Sequence, residues 1–488
     1  MAETPEIVAR FKAELAGQVV VITSGGLLVV VLARLLGPED YGLLFYAISV
    51  LGVLSVLSQL GLAKSCARYI AEFKERDPRQ VPHVLRTTFG VNLLLVAVVG
   101  GGLVLAHGHL AQLLGEPAIA PLLALGAVYL ALESLATFVR MTLQGFEEIQ
   151  ASATLYALDR GLRLVCAVGL VALGAGVVGA MVGYLVGFGA AVVLGLSLIY
   201  RRHYRNSPRS PAVADGLRRR ILAYTVPLTA TGTANVLDKR MDTVIVGVLL
   251  SPVAVSYYVL GKQLVEFIET PMTALGFTLS PTFGARKAAG DVDRAARLYE
   301  RALATALVVY VPAAAGVVLV APLAIDVVFG AGYGGAVPVV QVLALYIVFQ
   351  SVTKLTSNGL DYLGRARHRA IAKGVTAVMN VGLTVALVPV LGVVGAAVAT
   401  VGTYGLYTAA TLAIVDREFE LRRWFLLERV GWVLLVTAAM TLAVLPALRW
   451  GDGPLTLVVA VVAGGVTWLV LSGVTGLIDV AEMRTVLT

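Results

Sequence analysis

Charge is scarce in this sequence. Only 14% of its 488 residues are Asp, Glu, Lys or Arg, where a soluble domain carries about 25%. Cysteine is scarcer still. Cys66 and Cys166 are the only two, both in or beside apolar stretches, without metal-ligand or redox spacing, and they read as small buried hydrophobes. The five histidines (His83, His107, His109, His203 and His368) fall in loops or at the ends of apolar stretches. None has the spacing of a metal-ligand set or of a catalytic triad. A GxxxxGK[ST] phosphate loop is missing as well, which excludes an ATP-driven motor. No enzyme activity, cofactor or metal is therefore expected. The start, MAETPEIVARFKAELAG, holds no A-x-A cleavage site after a short apolar core, and Ile7 to Leu15 reads as an amphipathic lead-in on a membrane surface.

What the chain has in excess is apolar sequence: 58% of residues are hydrophobic and mean hydropathy is +0.86. Apolar runs of about 20 residues recur along the whole length, each long enough to cross a bilayer core of about 30 Å. A membrane β-barrel is excluded, because its strands would alternate over about 10 residues. The pattern predicts an all-α polytopic membrane protein with fourteen spans, near 15–35, 42–63, 85–107, 117–138, 150–173, 177–200, 221–250, 254–276, 302–323, 335–357, 371–391, 393–415, 430–448 and 455–476.

The loops alternate in charge. Those after spans 2, 6, 8, 10 and 12 are basic, as in RRHYRNSPRSPAVADGLRRR (201–220) and GRARHRAIAK (364–373), whereas those after spans 1, 3, 5, 7, 9 and 11 contain no Lys or Arg. The positive-inside bias then predicts a cytoplasmic-membrane protein with both termini in the cytoplasm. It also accounts for the net charge of +8 without nucleic acid, the basic loops meeting anionic lipid headgroups instead.

GPEDYG (37–42) reads as an external turn, with Gly37 and Pro38 ending one helix, Glu39 and Asp40 opening the next, and Tyr41 at interface depth. A shift of 214 residues lays LLGPEDYGLLFYA (35–47) on LLSPVAVSYYVLG (249–261) and AEFKERDPRQ (71–80) on ARKAAGDVDR (285–294). Turn, span and basic loop recur in step. The expected organisation is an N-terminal lobe over 1–200, a basic cytoplasmic linker over 201–220, a C-terminal lobe over 221–415, and an appended helix pair over 416–488. Six spans per lobe is an even number, so the lobes would be related by a pseudo-twofold axis along the membrane normal.

Ionisable residues inside apolar spans cost at least about 2.5–3.5 kcal/mol each on insertion scales, so each needs a partner, a cavity or an interface. In span 7, Thr231, Asn235, Asp238 and Asp242 share one helical face, with Lys239 on an adjoining face and Arg240 pointing elsewhere. They read either as a cavity wall or as local ion pairing that neutralises the helix. Lys262 and Glu266 in span 8 are spaced to pair, with Glu269 one residue off their face. Span 5 carries Asp159, Arg160 and Arg163; these lie mid-membrane if the helix starts near Gln150 and at the rim if it starts near Asp159. Tyr346, Gln350, Lys354 and Asn358 form a stripe in span 10, where Lys354 can instead snorkel. Arg34 is an interface anchor at the outer end of span 1. Glu133 and Asn380 are single polar residues that a helix–helix hydrogen bond would explain. The cationic cavity candidates are thus Arg160, Arg163, Lys239, Arg240, Lys262 and Lys354. The coupling-ion candidates are Asp238, Asp242, Glu266 and Asn235, and the polar cavity candidates Gln350, Asn358 and Asn380.

Three stretches resemble a known family: ARLLGPEDYG (33–42) with QLGLAKSCARYIAEF (59–73), DKRMDTVIVGVLLSPVAVSYYVLGKQL (238–264), and VVFGAGYGGAVPVVQVLALY (327–346) with MNVGLTVALVPVLGVVGAAVATVGTYG (379–405). In this order they resemble the polysaccharide exporters, or O-antigen repeat-unit flippases, of the multidrug/oligosaccharidyl-lipid/polysaccharide superfamily. Ser256 stands where that family usually has Gly. The resemblance implies two six-helix lobes around a hydrated cavity, alternating access, and a polyprenyl phosphate- or pyrophosphate-linked glycan as substrate. Membrane lipids, a proton or sodium ion for coupling, and glycan assembly enzymes are the implied partners, with the carrier itself a monomer. Cation-coupled multidrug exporters and peptidoglycan-precursor (lipid II) flippases share the plan. An intramembrane glycosyl or acyl transferase fits less well, because no histidine or acid is placed for catalysis.

Overall fold

The computed structural model describes residues 4–205, 207, 208, 213, 214 and 216–477, and these form helices with no strand among them. The helices are α1 (Thr4–Gln59), α2 (Leu62–Arg76), α3 (Val81–Leu113), α4 (Ala120–Gly145), α5 (Ile149–Leu170), α6 (Gly176–Ile199), α7 (Leu217–Leu249), α8 (Pro252–Ala288), α9 (Val292–Phe329), α10 (Val337–Tyr362), α11 (Ala366–Leu391), α12 (Val393–Phe419), α13 (Arg423–Leu448) and α14 (Pro454–Val474). Side chains before Thr23, and with them the Ile7–Leu15 lead-in, lie outside the described residues.

Among the described residues, ten stretches are long and apolar enough to cross a membrane. Two stretches are of double length: α1, Thr4–Gln59, has 56 residues and Ile149–Tyr204 also has 56. At 1.5 Å per residue a single 56-residue helix would run about 84 Å, far beyond a bilayer. Glycine breaks each one. Gly37 adopts φ 73°, ψ 175° inside α1, and Gly174 and Gly176 have φ of 88° and 54° between α5 and α6. Only glycine enters such conformations without strain. Helices α7 and α8, with 33 and 37 residues, are long enough to cross as well. The protein is an all-α polytopic membrane protein.

The chain divides into two compact units, Met1–Ser256 and Tyr257–Thr488. In the first, α5 packs on α6, α3 and α6 on α4, and α5 and α7 on α1. One feature of this unit differs from expectation. The stretch after span 2 is not a plain loop. Leu62, Ala63, Cys66, Tyr69, Ile70 and Phe73 are buried at helical spacing, with Lys64, Arg68, Ala71 and Glu75 exposed on the other side, so the segment folds as the amphipathic helix α2. It grips the start of α7 through Ser65 Oγ to Thr225 Oγ1 at 2.8 Å and Tyr69 Oη donating to the Arg220 carbonyl at 2.9 Å. Tyr41 is fully buried within the unit, its ring 4.7 Å from Phe45. The reason is next to it: a Cβ on Gly42 would lie 1.8 Å from the Pro252 carbonyl oxygen, so α1 and the start of α8 meet backbone to backbone there.

In the second unit α10 and α11 pack on α12, and α9 packs on α10. The α13–α14 pair docks on α9, where Trp468 Nε1 donates to the Val308 carbonyl at 2.9 Å. Its entry is fixed by Glu300, which is 1% exposed and accepts from Arg422 N at 2.6 Å, Nε at 2.8 Å and Nη2. That hydrogen bond holds the Arg422 guanidinium above its ordinary value. Trp424 and Trp450, exposed at either end of α13, are about 39 Å apart along the helix, the spacing of two membrane–water interfaces. A cavity of about 340 Å³ lies between α9, α13 and α14, lined by Val309, Pro312, Val320, Met440, Val444 and Trp468.

Candidate functional site: an arginine cluster in the first unit

Helix α5 begins at Ile149, the earlier of the two starts that the sequence allowed. Asp159 lies ten residues in, about 15 Å from the helix start. Arg163 is one turn further, and its Nη2 donates to Asp159 Oδ1 at 2.7 Å and Oδ2 at 2.9 Å. Both residues are buried. The guanidinium also lies over the rings of Tyr184 (4.5 Å) and Phe188 (4.4 Å) on α6. Such a pair holds its charges in a low-dielectric setting at the cost of losing their hydration.

Arg160 points to the neighbouring face. Its Nη2 donates to Tyr156 Oη at 2.9 Å, and its guanidinium lies 4.9 Å from the Tyr156 ring centre. Arg140 of α4 approaches the same ring at 4.6 Å. Tyr156 thus holds two guanidinium groups whose charges repel.

Arg240 completes the cluster from α7. Its side chain runs along α1, where a Cβ on Gly52 would be 3.2 Å from Arg240 Nε. Glu133 of α4 lies within electrostatic reach of Arg240, Arg163, Arg140 and Arg160, and Tyr129 and Tyr184 within reach of Arg163 and Arg240. Four guanidinium groups therefore face two carboxylates, Glu133 and Asp159, in one unit. The balance is positive even with both acids ionised.

Three buried atoms in this cluster, Glu133 Oε2, Arg160 Nε and Arg163 Nε, have no hydrogen-bond partner among the described residues. Buried polar groups without partners are rare because each costs about 1–3 kcal/mol.

The remaining candidates are dispersed. On α7, Asn235 and Lys239 are exposed and Asp238 is half-buried. Asp242 is buried and accepts from the Thr243 N–H at 2.7 Å. The α7 side chain that joins the α4–α5 charges is Arg240, the one that sequence spacing turned away, and the side chain of Thr231 lies outside the described residues. In the second unit, Lys262 Nζ lies 5.3 Å from the Tyr258 ring centre. Glu266 is exposed and Asn358 half-buried. Lys354 pairs with Glu269 at 3.4 Å, and Gln350 donates to Tyr346 Oη. Asn380 is buried and donates to Thr403 Oγ1 at 3.1 Å and Thr400 Oγ1 at 3.4 Å, tying α11 to α12.

Two residues of the arginine cluster were underweighted in the sequence. Arg140 fell just past the expected end of span 4, and Glu133 stood alone. The available signal was their separation of seven residues, which puts both on one helix face. Among the described residues no group of His, Cys, Asp or Glu is placed to hold a metal ion.

A family model described as polysaccharide biosynthesis protein matches residues 31–338. A comparison with curated proteins finds no match. Among solved structures, lipid II flippase MurJ in an inward closed conformation aligns with a TM-score of 0.79 at 13% identity, covering 96% of this chain and 98% of that one. An inward-facing multidrug resistance transporter of the MATE family, in the MOP superfamily, aligns at 0.70 with 19% identity over 82% of this chain and 96% of that one. An outward-facing MATE transporter aligns at 0.54 with 20% identity over 84% and 94%. At these identities the shared feature is the fold, that of MOP-superfamily flippases and exporters. Because the family model spans more than half of the 488 residues, the chain belongs to the polysaccharide biosynthesis protein family.

Proposed function

We propose that this protein carries a polyprenyl phosphate- or diphosphate-linked oligosaccharide from the cytoplasmic to the outer leaflet of the cytoplasmic membrane by alternating access, with both termini in the cytoplasm. The carrying observation is the surplus of guanidinium over carboxylate among Arg140, Arg160, Arg163, Arg240, Glu133 and Asp159. Arginine forks match phosphate oxygens bidentately. A sugar headgroup has many hydroxyls, and each costs several kcal/mol when stripped of water in hydrocarbon, so unassisted crossing is blocked and a polar route is required. The apolar cavity between α9, α13 and α14 supports an amphiphilic substrate with a hydrocarbon chain. Family membership supports a glycan. Asp238, Asp242, Glu266 and Asn235 remain the candidates for a proton or sodium ion that drives the cycle, and Lys239, Lys262 and Lys354 are further cations for the substrate's path.

A multidrug exporter of small cations is the main rival on fold alone, and the excess positive charge disfavours it. The test is reconstitution into liposomes containing a polyprenyl diphosphate-linked oligosaccharide. Protein-dependent movement of the glycan to the leaflet open to an impermeant glycosidase is expected. Efflux of a cationic dye with no movement of the glycan would sink the reading. Running lipid II in parallel separates the peptidoglycan-precursor alternative.

A further inference from the structure

Helix α9 cannot make two of its own backbone hydrogen bonds. A proline has no N–H, and its ring crowds the carbonyl four residues earlier, so Pro312 and Pro322 release the carbonyls of Val308 and Val318. Each released carbonyl is taken by a side chain from another helix. Trp468 Nε1 of α14 donates to the Val308 carbonyl at 2.9 Å, and Gln341 Nε2 of α10 donates to the Val318 carbonyl at 3.1 Å. We propose that α9 is a hinged helix whose two bending points are set from outside by Trp468 and Gln341, so that the appended pair α13–α14 is a brace that controls the shape of α9. The proposal concerns conformation, goes beyond the reading of the substrate, and stands whichever lipid-linked molecule is carried.

The match is positional. Helix α9 has 38 residues, and inside such a helix a carbonyl is ordinarily occupied by the N–H four residues on. An indole N–H and a carboxamide N–H from two different helices meet the two carbonyls that proline has opened. Hydrocarbon offers no water to an open carbonyl, so a neighbouring helix must supply the donor. Val308 is 2% exposed, and Trp468 packs on the buried Met440, Val444 and Ala460, which holds the indole from α13 as well as from α14.

Interior proline is also where a helix bends. Pro389 and Pro446 stand in the last turn of α11 and α13, where a break ends a helix, whereas Pro312 and Pro322 have helix on both sides. With each donor in place, one bend satisfies each open carbonyl. If α14 withdraws Trp468, the Val308 carbonyl is left to another donor or to another bend. Pro312 and Trp468 both line the cavity between α9, α13 and α14, so the width of that cavity follows the bend.

The experiment uses the purified full chain in detergent. Pro312→Ala returns an N–H to the Val308 carbonyl and makes the indole N–H redundant. Trp468→Phe removes that N–H, and the packing lost with the smaller ring is common to both backgrounds and cancels. Trp468→Phe is therefore expected to lower the apparent melting temperature by a few degrees more in the wild type than in Pro312→Ala. Gln341→Leu is expected to behave in the same way without and with Pro322→Ala. Spin labels on cysteines placed by Arg297→Cys and Asp326→Cys, after Cys66→Ser and Cys166→Ser, report the bend itself. Both sites are exposed and would be about 43 Å apart along a straight helix. The wild-type distance is expected to be shorter than this and narrowly distributed, to broaden in Trp468→Phe, and to lengthen in Pro312→Ala, where adding Trp468→Phe changes nothing further. A wild-type distance at the straight-helix value, which needs no variant to fold, overturns the proposal. Equal melting losses for Trp468→Phe in both backgrounds, or an unbroadened distribution, overturn the brace, and equal losses for Gln341→Leu overturn the second bending point.

Discussion

Gly187 stands against Asp159 so closely that a Cβ on the glycine would lie 2.6 Å from Asp159 Oδ1 and 2.7 Å from the Asp159 carbonyl oxygen. Helix α6 therefore closes over the Asp159–Arg163 ion pair at a point where no side chain intervenes. The pair is sealed on that side, while Arg160, one residue from Asp159, stays half-buried. Helix α5 thus carries a closed-over charge pair and a half-buried arginine on adjoining faces.

Gly187→Ala should force α6 away from α5, because one of the opposing atoms is backbone and cannot rotate aside. Overpacking of this kind costs about 1–3 kcal/mol. A lowered apparent melting temperature in detergent checks it. A variant as stable as wild type would mean that α6 is not held against Asp159.

The Asp159–Arg163 pair should show the asymmetry of buried charges. Removing one partner, as in Arg163→Ala, leaves the other charge uncompensated and should cost about 3–5 kcal/mol. Replacing both by apolar residues of similar volume, as in Asp159→Leu with Arg163→Met, should recover most of that loss. Melting of the two single variants and the double variant decides it. A double variant as unstable as the sum of the singles would argue against a sealed pair.

The entry to α13 offers a second, independent case. Glu300 is buried and accepts from the backbone N–H and the guanidinium of Arg422, which is itself half exposed. Arg422→Ala should therefore be costlier than Glu300→Gln. The former strands a buried carboxylate, whereas the latter removes the charge and keeps an acceptor, for a loss of about 1 kcal/mol. Limited proteolysis of the connection between α12 and α13 reports the order, and faster cleavage in Glu300→Gln than in Arg422→Ala would contradict it.

The span plan was legible in the sequence because bilayer thickness imposes length and hydropathy on each segment independently. The helix pair after span 12 and the breaks near Gly37 and Gly174 need no tertiary information. Helix α2 was hidden because only one of its faces is apolar, so it lacks a run long enough to count. The burial of Tyr41 was not legible because its surroundings are set by Gly42 meeting Pro252, a contact between residues 210 positions apart that hydropathy does not register. The arginine cluster was half visible. Arg160 and Arg163 stand out inside an apolar span, and their partners on α4 and α7 become evident only once those helices adjoin. Spacing within α7 grouped the acids on one face and left Arg240 off it, whereas packing decides which face meets α4 and α5.

Arg140, Arg160 and Arg240 should separate binding from folding. None of the three is in a described ion pair, so neutralising one leaves no buried carboxylate stranded, and the Gln variants should melt close to wild type. For transport the expectation is different. Unit charges a few ångströms apart interact by a few kcal/mol at an effective dielectric near 20. After hydration and rearrangement take most of this, about 1.4 kcal/mol per lost charge is expected, a tenfold weakening of substrate affinity. Each Gln variant should therefore raise KM for the lipid-linked glycan about tenfold with less change in the maximal rate. Lys should restore only part of the loss at Arg160, because an ammonium keeps the charge without the planar fork that binds Tyr156 and a phosphate oxygen together. The pattern to measure is KM against melting temperature across the three positions. Parallel losses in both would make these arginines structural, and unchanged KM at all three would remove the cluster from the substrate's path.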